Sequence, residues 1–145
     1  MPQLQRFVEF FSDLSPSSLN HLDRVYAADV RFSDPFNDVQ GLAAVRRIFE
    51  HMYATTLQPR FEILQALGDD RQAFLSWDFK FQSRGWRSRA WSIHGVTRVE
   101  FDADGRVKLH RDYWDPAHDI YAQLPLLGWL MGALRRSLRA DRWRP

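Results

Sequence analysis

The chain from residue 91 to 114 reads Trp91-Ser92-Ile93-His94-Gly95-Val96-Thr97-Arg98-Val99-Glu100-Phe101-Asp102-Ala103-Asp104-Gly105-Arg106-Val107-Lys108-Leu109-His110-Arg111-Asp112-Tyr113-Trp114. Its alternation of apolar and polar residues, interrupted at Asp104-Gly105, predicts two long antiparallel strands, Ala90 to Phe101 and Val107 to Trp114, joined by a tight hairpin. Successive side chains of a strand point to opposite faces. His110, Asp112 and Trp114 therefore share one face, and Leu109, Arg111 and Tyr113 the other. On the preceding strand Trp91, Ile93, Gly95, Thr97 and Val99 form the matching face.

Working upstream, Phe61 to Leu67 is a strand closed by Gly68-Asp69-Asp70, and Ala73 to Phe81 alternates with Leu75, Trp77, Phe79 and Phe81 on one face. The Ser83-Arg84-Gly85-Trp86 stretch turns that strand into the next. The first sixty residues have a different period. Leu4, Phe7, Val8, Phe11 and Leu14 recur at three and four, a helical stripe. Ser15-Pro16 restarts the chain into a second helix carrying Leu19, Leu22, Val25 and Tyr26, because Ser caps well and Pro suits the first helical position. Val30, Phe32 and Asp34 alternate as a short strand stopped by Pro35. After Gly41 a third helix presents Leu42, Val45, Ile48, Phe49, Met52 and Tyr53, and Pro59 ends it. Three helices followed by four antiparallel strands predict an α+β layer, one strongly twisted sheet wrapped over helices. Downstream, a helical segment from about Pro116 to Arg139 is expected to break near Pro125 and Gly128.

Composition narrows the function classes. With 145 residues, 45% of them hydrophobic, together with 11 Phe, 6 Trp and 4 Tyr, the chain is one folded domain with room for a pocket in its core. It has no cysteine, which removes thiol nucleophiles and thiolate metal sites. No signal peptide and no run of ~20 apolar residues is present, so a soluble, cytoplasmic protein is expected. The net charge of +2 hides an asymmetry: Arg135, Arg136, Arg139, Arg142 and Arg144 lie in the last eleven residues. Residues 1–134 hold 15 basic and 17 acidic groups, which gives no footprint for nucleic acid.

The motif Val25-Tyr26-Ala27-Ala28-Asp29-Val30-Arg31-Phe32-Ser33-Asp34-Pro35-Phe36, Gly41 opening a helix, Phe101-Asp102-Ala103-Asp104-Gly105-Arg106-Val107, and Tyr113-Trp114 resemble the nuclear transport factor 2-like superfamily. Within it they are most similar to the SnoaL-like polyketide cyclase and ketosteroid isomerase branch. The resemblance covers about residues 4–115 and leaves 116–145 as a tail. It implies a cone-shaped barrel of a mixed, mostly antiparallel sheet over three helices, enclosing one apolar pocket, in a homodimer. It places Asp34 on the isomerase's general base and Trp114 on a pocket aromatic. The two oxyanion-hole donors fall on Phe10 and Thr97. Losing one such donor costs about 2.7–4 kcal/mol of transition-state stabilisation, so the resemblance does not extend to ketosteroid isomerase activity.

The residues themselves give a consistent picture. If Trp114 faces a pocket, so do His110 and Asp112, and a desolvated carboxylate can then work as an acid or base near neutrality. Asp34, Asp112 and His110 are the candidate catalytic groups. Trp114, Trp77, Tyr26, Phe10, Phe49, Thr97, Phe79 and Tyr53 are the candidate ligand contacts. The blander readings are that Asp34 caps a turn before Pro35 and that His110 and Asp112 form a structural pair. His110, Asp112, Asp115, His118 and Asp119 are close in sequence, but a strand followed by a proline-bounded helix offers no metal-ligand face, so neither metal nor another cofactor is expected. The expected ligand is an apolar small molecule, polyketide-, steroid-, terpenoid- or lipid-like. The apolar, Arg-ended tail is expected to lid the pocket or pack in a dimer rather than to lie on a membrane. A non-catalytic binding module of the same fold is the alternative.

Overall fold

The computed structural model describes residues 2–85 and 88–139, which form two compact units, Met1–Trp114 and Asp115–Pro145. In the first, helix α1 (Pro2–Ser12) is followed by a 3-10 segment (Pro16–Arg24), strands β1 (Tyr26–Ser33) and β2 (Asp38–Gln40), helix α2 (Leu42–Thr55), and strands β3 (Thr56–Gly68), β4 (Gln72–Ser83), β5 (Ala90–Phe101) and β6 (Val107–Trp114). The sheet order is β2-β1-β6-β5-β4-β3, with β1 and β6 parallel and every other pair antiparallel. The sheet is open, with β2 and β3 at its edges. This is the expected α+β architecture of a mixed, mostly antiparallel curved sheet over N-terminal helices.

Helix α1 buries Leu4, Phe7 and Phe11, the stripe its spacing predicts, and α2 buries Ala44, Val45 and Phe49. These rings meet Tyr26, Val30 and Phe32 of β1, Ala73 and Leu75 of β4, Val99 and Phe101 of β5, and Val107 of β6 in one core. Burying each large apolar side chain contributes roughly 1.5–3 kcal/mol.

Four local expectations need correction. The second helix is a 3-10 segment ending at Arg24, and Tyr26 opens β1. Ser15 does cap it, accepting from Ser18 N while the Ser18 hydroxyl completes a capping box. Helix α2 stops at Thr55, before Pro59. Pro59 lies inside β3, where the register shifts between Leu57 and Arg60 and Gln58 takes a φ of 51°. A proline has no N–H to give the ladder, so it is accommodated at a bulge on this edge strand. The short strand β2 pairs with β1 beyond the Pro35 turn and escapes sequence reading because three residues are too few for alternation to register.

In the second unit, Asp115 caps α3 (Pro116–Asp119) by accepting from His118 N. A 3-10 turn (Tyr121–Gln123) leads to α4 (Pro125–Leu138). The break falls before Pro125 as expected; Gly128 lies within the helix and does not interrupt it. No helix of the described residues is long and apolar enough to cross a membrane.

Candidate functional site

The hairpin register sets the site. Strand β5 pairs with β6 so that Val99 faces His110, Thr97 faces Asp112 and Gly95 faces Trp114. On the other side β4 brings Trp77 opposite Gly95. A Cβ on Gly95 would lie 2.3 Å from the Trp77 indole, so only glycine lets that ring lie across the strand. The indole N–H of Trp77 donates to Thr97 Oγ1 at 2.7 Å, and the Thr97 hydroxyl donates to Asp112 Oδ1 at 2.5 Å. His110 Nε2 lies 2.8 Å from the same oxygen, and His110 Nδ1 lies 2.8 Å from the Tyr26 hydroxyl. Five side chains from four strands thus form one continuous hydrogen-bonded row.

The protons in this row can be assigned. Burial, and then the negative charge of Asp112, hold the Tyr26 phenol well above its ordinary value, so it is a neutral O–H donor. If that hydrogen goes to His110 Nδ1, the ring proton sits on Nε2 and points at Asp112, and every donor in the row is satisfied. Asp112 Oδ1 then accepts from both Thr97 and His110. Oδ2 has no hydrogen-bond partner among the described residues. His110 is 3% exposed and packs against Phe32, with ring centroids 4.5 Å apart, and against Phe7, Phe11 and Tyr26.

Among the described residues, Asp112 is the one that lines both of two hollows, an inner one on the His110 face and an outer one lined by Leu109, Arg111 and Tyr113 of the opposite face. Inside, a void of about 20 Å³ is bounded by Phe7, Phe11, Phe49, Phe61, Ile63 and Leu75 together with Trp77, Thr97, His110 and Asp112. That is room for one water molecule, because the aromatic rings from both helices fill the rest. Outside, an open cleft of about 510 Å³ runs past Asp34, Asn37, Arg111, Tyr113 and Trp114 and also reaches Asp112. Its size is that of a small-molecule site. The Asp112 side chain is 16% exposed.

Asp34 borders the same cleft in a different state. Its Oδ1 accepts from Phe36 N and Asn37 N, both at 2.7 Å, and from Asn37 Nδ2 at 3.1 Å, while Oδ2 accepts from Asn37 Nδ2 at 3.0 Å. The carboxylate organises the Pro35 turn that starts β2, and it has no contact with the His110 row. Trp114 lies in the cleft, edge-on to Phe36 at 5.4 Å, rather than in the inner void. Phe49 and Trp77 line the void as expected. Phe10 packs on Phe11, and Phe79 stacks between Phe61 and Phe81, so neither borders it. The Tyr53 hydroxyl, raised by burial, is enclosed with no partner among the described residues. Sequence reading missed Asn37, whose position three residues after Asp34 in a Pro turn was the available signal, and the inner rings Phe7, Phe11 and Phe61, which look like ordinary core.

The fold is an α+β scaffold, an open mixed sheet over two helices, that carries a largely buried Tyr-His-Asp-Thr-Trp row. Residues 4–110 match the SnoaL-like domain, and the chain belongs to that family. No curated protein matches the sequence. Among solved structures it is similar to a protein assigned to the SnoaL-like polyketide cyclases from Shewanella denitrificans, with 16% identity over 83% of this chain and 98% of that one and a TM-score of 0.69. A Catenulispora acidiphila protein with a ketosteroid isomerase-like fold, in complex with trimethylamine, gives 15% identity over 99% and 97%, with a TM-score of 0.68. A Mycobacterium tuberculosis LEH-like epoxide hydrolase gives 19% identity over 92% and 96%, with a TM-score of 0.64. At these identities the likeness is one of fold. The family includes cyclases, isomerases and epoxide hydrolases and is known for binding small molecules.

Proposed function

We propose that the chain binds an apolar, carbonyl-bearing small molecule beside Asp112, and that Asp112 moves a proton on it without a cofactor. The single observation behind this reading is the asymmetry of the Asp112 carboxylate: Oδ1 is fixed by two donors while Oδ2 has no hydrogen-bond partner among the described residues, in a side chain that is 16% exposed. His110, itself held by Tyr26, fixes the carboxylate in place. Asp34 shapes the rim of the cleft, its oxygens being occupied by the turn. Phe10 has no donor and Thr97 spends its hydrogen on Asp112, so a developing enolate finds no preorganised pair of donors there. That favours substrates whose C–H is already acidified by two carbonyls, such as a β-keto ester, over simple ketones.

The test is deuterium exchange. In D2O, Asp112 Oδ2 removes the α-proton of a cyclic β-keto ester, and the enolate takes back a deuteron, which NMR reads directly. Wild-type protein should exceed the buffer rate, and Asp112→Asn should bring exchange back toward it. Exchange at the buffer rate with wild-type protein overturns the catalytic reading. The second reading, a binding module without chemistry, is favoured by the ring-filled inner void of about 20 Å³.

A further inference from the structure

We propose that helix α4 lies in the plane of an anionic phospholipid bilayer and holds the protein at the membrane surface. Within its 14 residues Leu126, Leu130 and Leu134 recur at four, and Leu127, Met131, Leu134 and Leu138 line the adjoining rows, giving one broad apolar face. Pro125, Gly128, Gly132, Arg135 and Arg136 fall on the opposite side, with Trp129 next to Arg136 and Ala133 between it and the leucines. The small side of the helix is the one used inside its own unit: a Cβ on Gly128 would lie 2.5 Å from the Ala122 carbonyl oxygen. No residue of α4 is buried, and Leu126, Trp129 and Leu138 are 79%, 67% and 76% exposed.

Length and charge select the occupant. At ~1.5 Å per residue α4 is roughly 21 Å long, short of the ~30 Å needed to span a bilayer, so it can lie on a membrane but not cross it. Residues 120–140 contain no Asp or Glu, whereas Arg135, Arg136 and Arg139 crowd its end. The helix itself offers no carboxylate with which a second copy could pair these arginines. A negatively charged headgroup layer complements them while its acyl region takes the Leu face and Trp129 sits at the boundary.

The full chain should pellet with vesicles of phosphatidylcholine containing one-third phosphatidylglycerol, with a blue shift of tryptophan emission that Trp129→Phe removes. Phosphatidylcholine alone should bind more weakly, by about tenfold or more. The exposed pair Arg135→Gln/Arg136→Gln should weaken binding roughly 30-fold, at about fivefold per basic residue. Leu126→Ser/Leu130→Ser should weaken it on the order of tenfold while leaving the thermal midpoint unchanged. No pelleting, or pelleting that ignores both vesicle charge and the arginines, overturns the proposal. So does a dimer that the Leu126→Ser/Leu130→Ser pair dissociates in the absence of vesicle binding.

Discussion

Asp34 and Asp112 border one cleft, yet their carboxylates are in opposite situations. Asp34 sits in a loop and has both oxygens consumed by the backbone and side chain of the residues just after it. Asp112 sits on a central strand, and donors from Thr97 and His110 reach only one of its oxygens. Proximity to a cleft does not make a carboxylate reactive. What matters is whether an oxygen is left over once the fold has been satisfied.

The sharpest way to break this comparison is to remove one charge at a time. Asp112→Asn should lower α-deuterium exchange by about 10²–10⁴, the usual weight of a positioned acid or base. Asp34→Asn, which keeps its turn acceptor, should stay within about twofold, as for substitutions that disturb no buried feature. Equal losses would put Asp34 in the chemistry. The support of Asp112 can be tested next: Gly95→Ala pushes the Trp77 ring off Thr97 and should cost about 1–3 kcal/mol of stability in denaturant unfolding, typical of overpacking. Asp34→Ala should cost about 1 kcal/mol by the same measurement, because its donors are near water and can be resolvated. The smallest effect is on pH dependence. A phenol whose folded-state value lies above its unfolded value of about 10 stabilises the fold below that pH, and the contribution fades as pH climbs toward the folded value. Tyr26→Phe should therefore flatten the loss of thermal stability above about pH 10.

Much of this was legible in the chain. Period-two alternation over Ala90–Phe101 and Val107–Trp114 gives the hairpin, and strand parity alone puts His110 and Asp112 on the face shared with Thr97. The motif around Asp34 and the Asp104-Gly105 turn carry the family resemblance that the match over residues 4–110 bears out. Parity cannot say how much space lies above that face. The inner void is narrow because Phe7, Phe11, Phe49 and Phe61 arrive from elements whose distance from the sheet no local pattern encodes. Nor does it tell which aspartate has a spare oxygen, since that depends on Asn37 in one case and on two long-range donors in the other. The Gly128 and Pro59 expectations failed for separate reasons: a glycine costs a helix only about 1 kcal/mol, which a close contact with Ala122 can outweigh, and a proline that a helix interior excludes is still accommodated at a bulge of an edge strand.

The parallel seam between β1 and β6 has a consequence for how the protein comes into being. It joins Tyr26 to His110 across 84 positions of chain, and Phe32 pairs in register with His110 itself. Contacts so distant along the backbone are entropically late events in folding. A ribosome-bound fragment lacking β6 would hold most of the core side chains but neither His110 nor Asp112, so the hydrogen-bonded row is assembled only when this last strand inserts between β1 and β5.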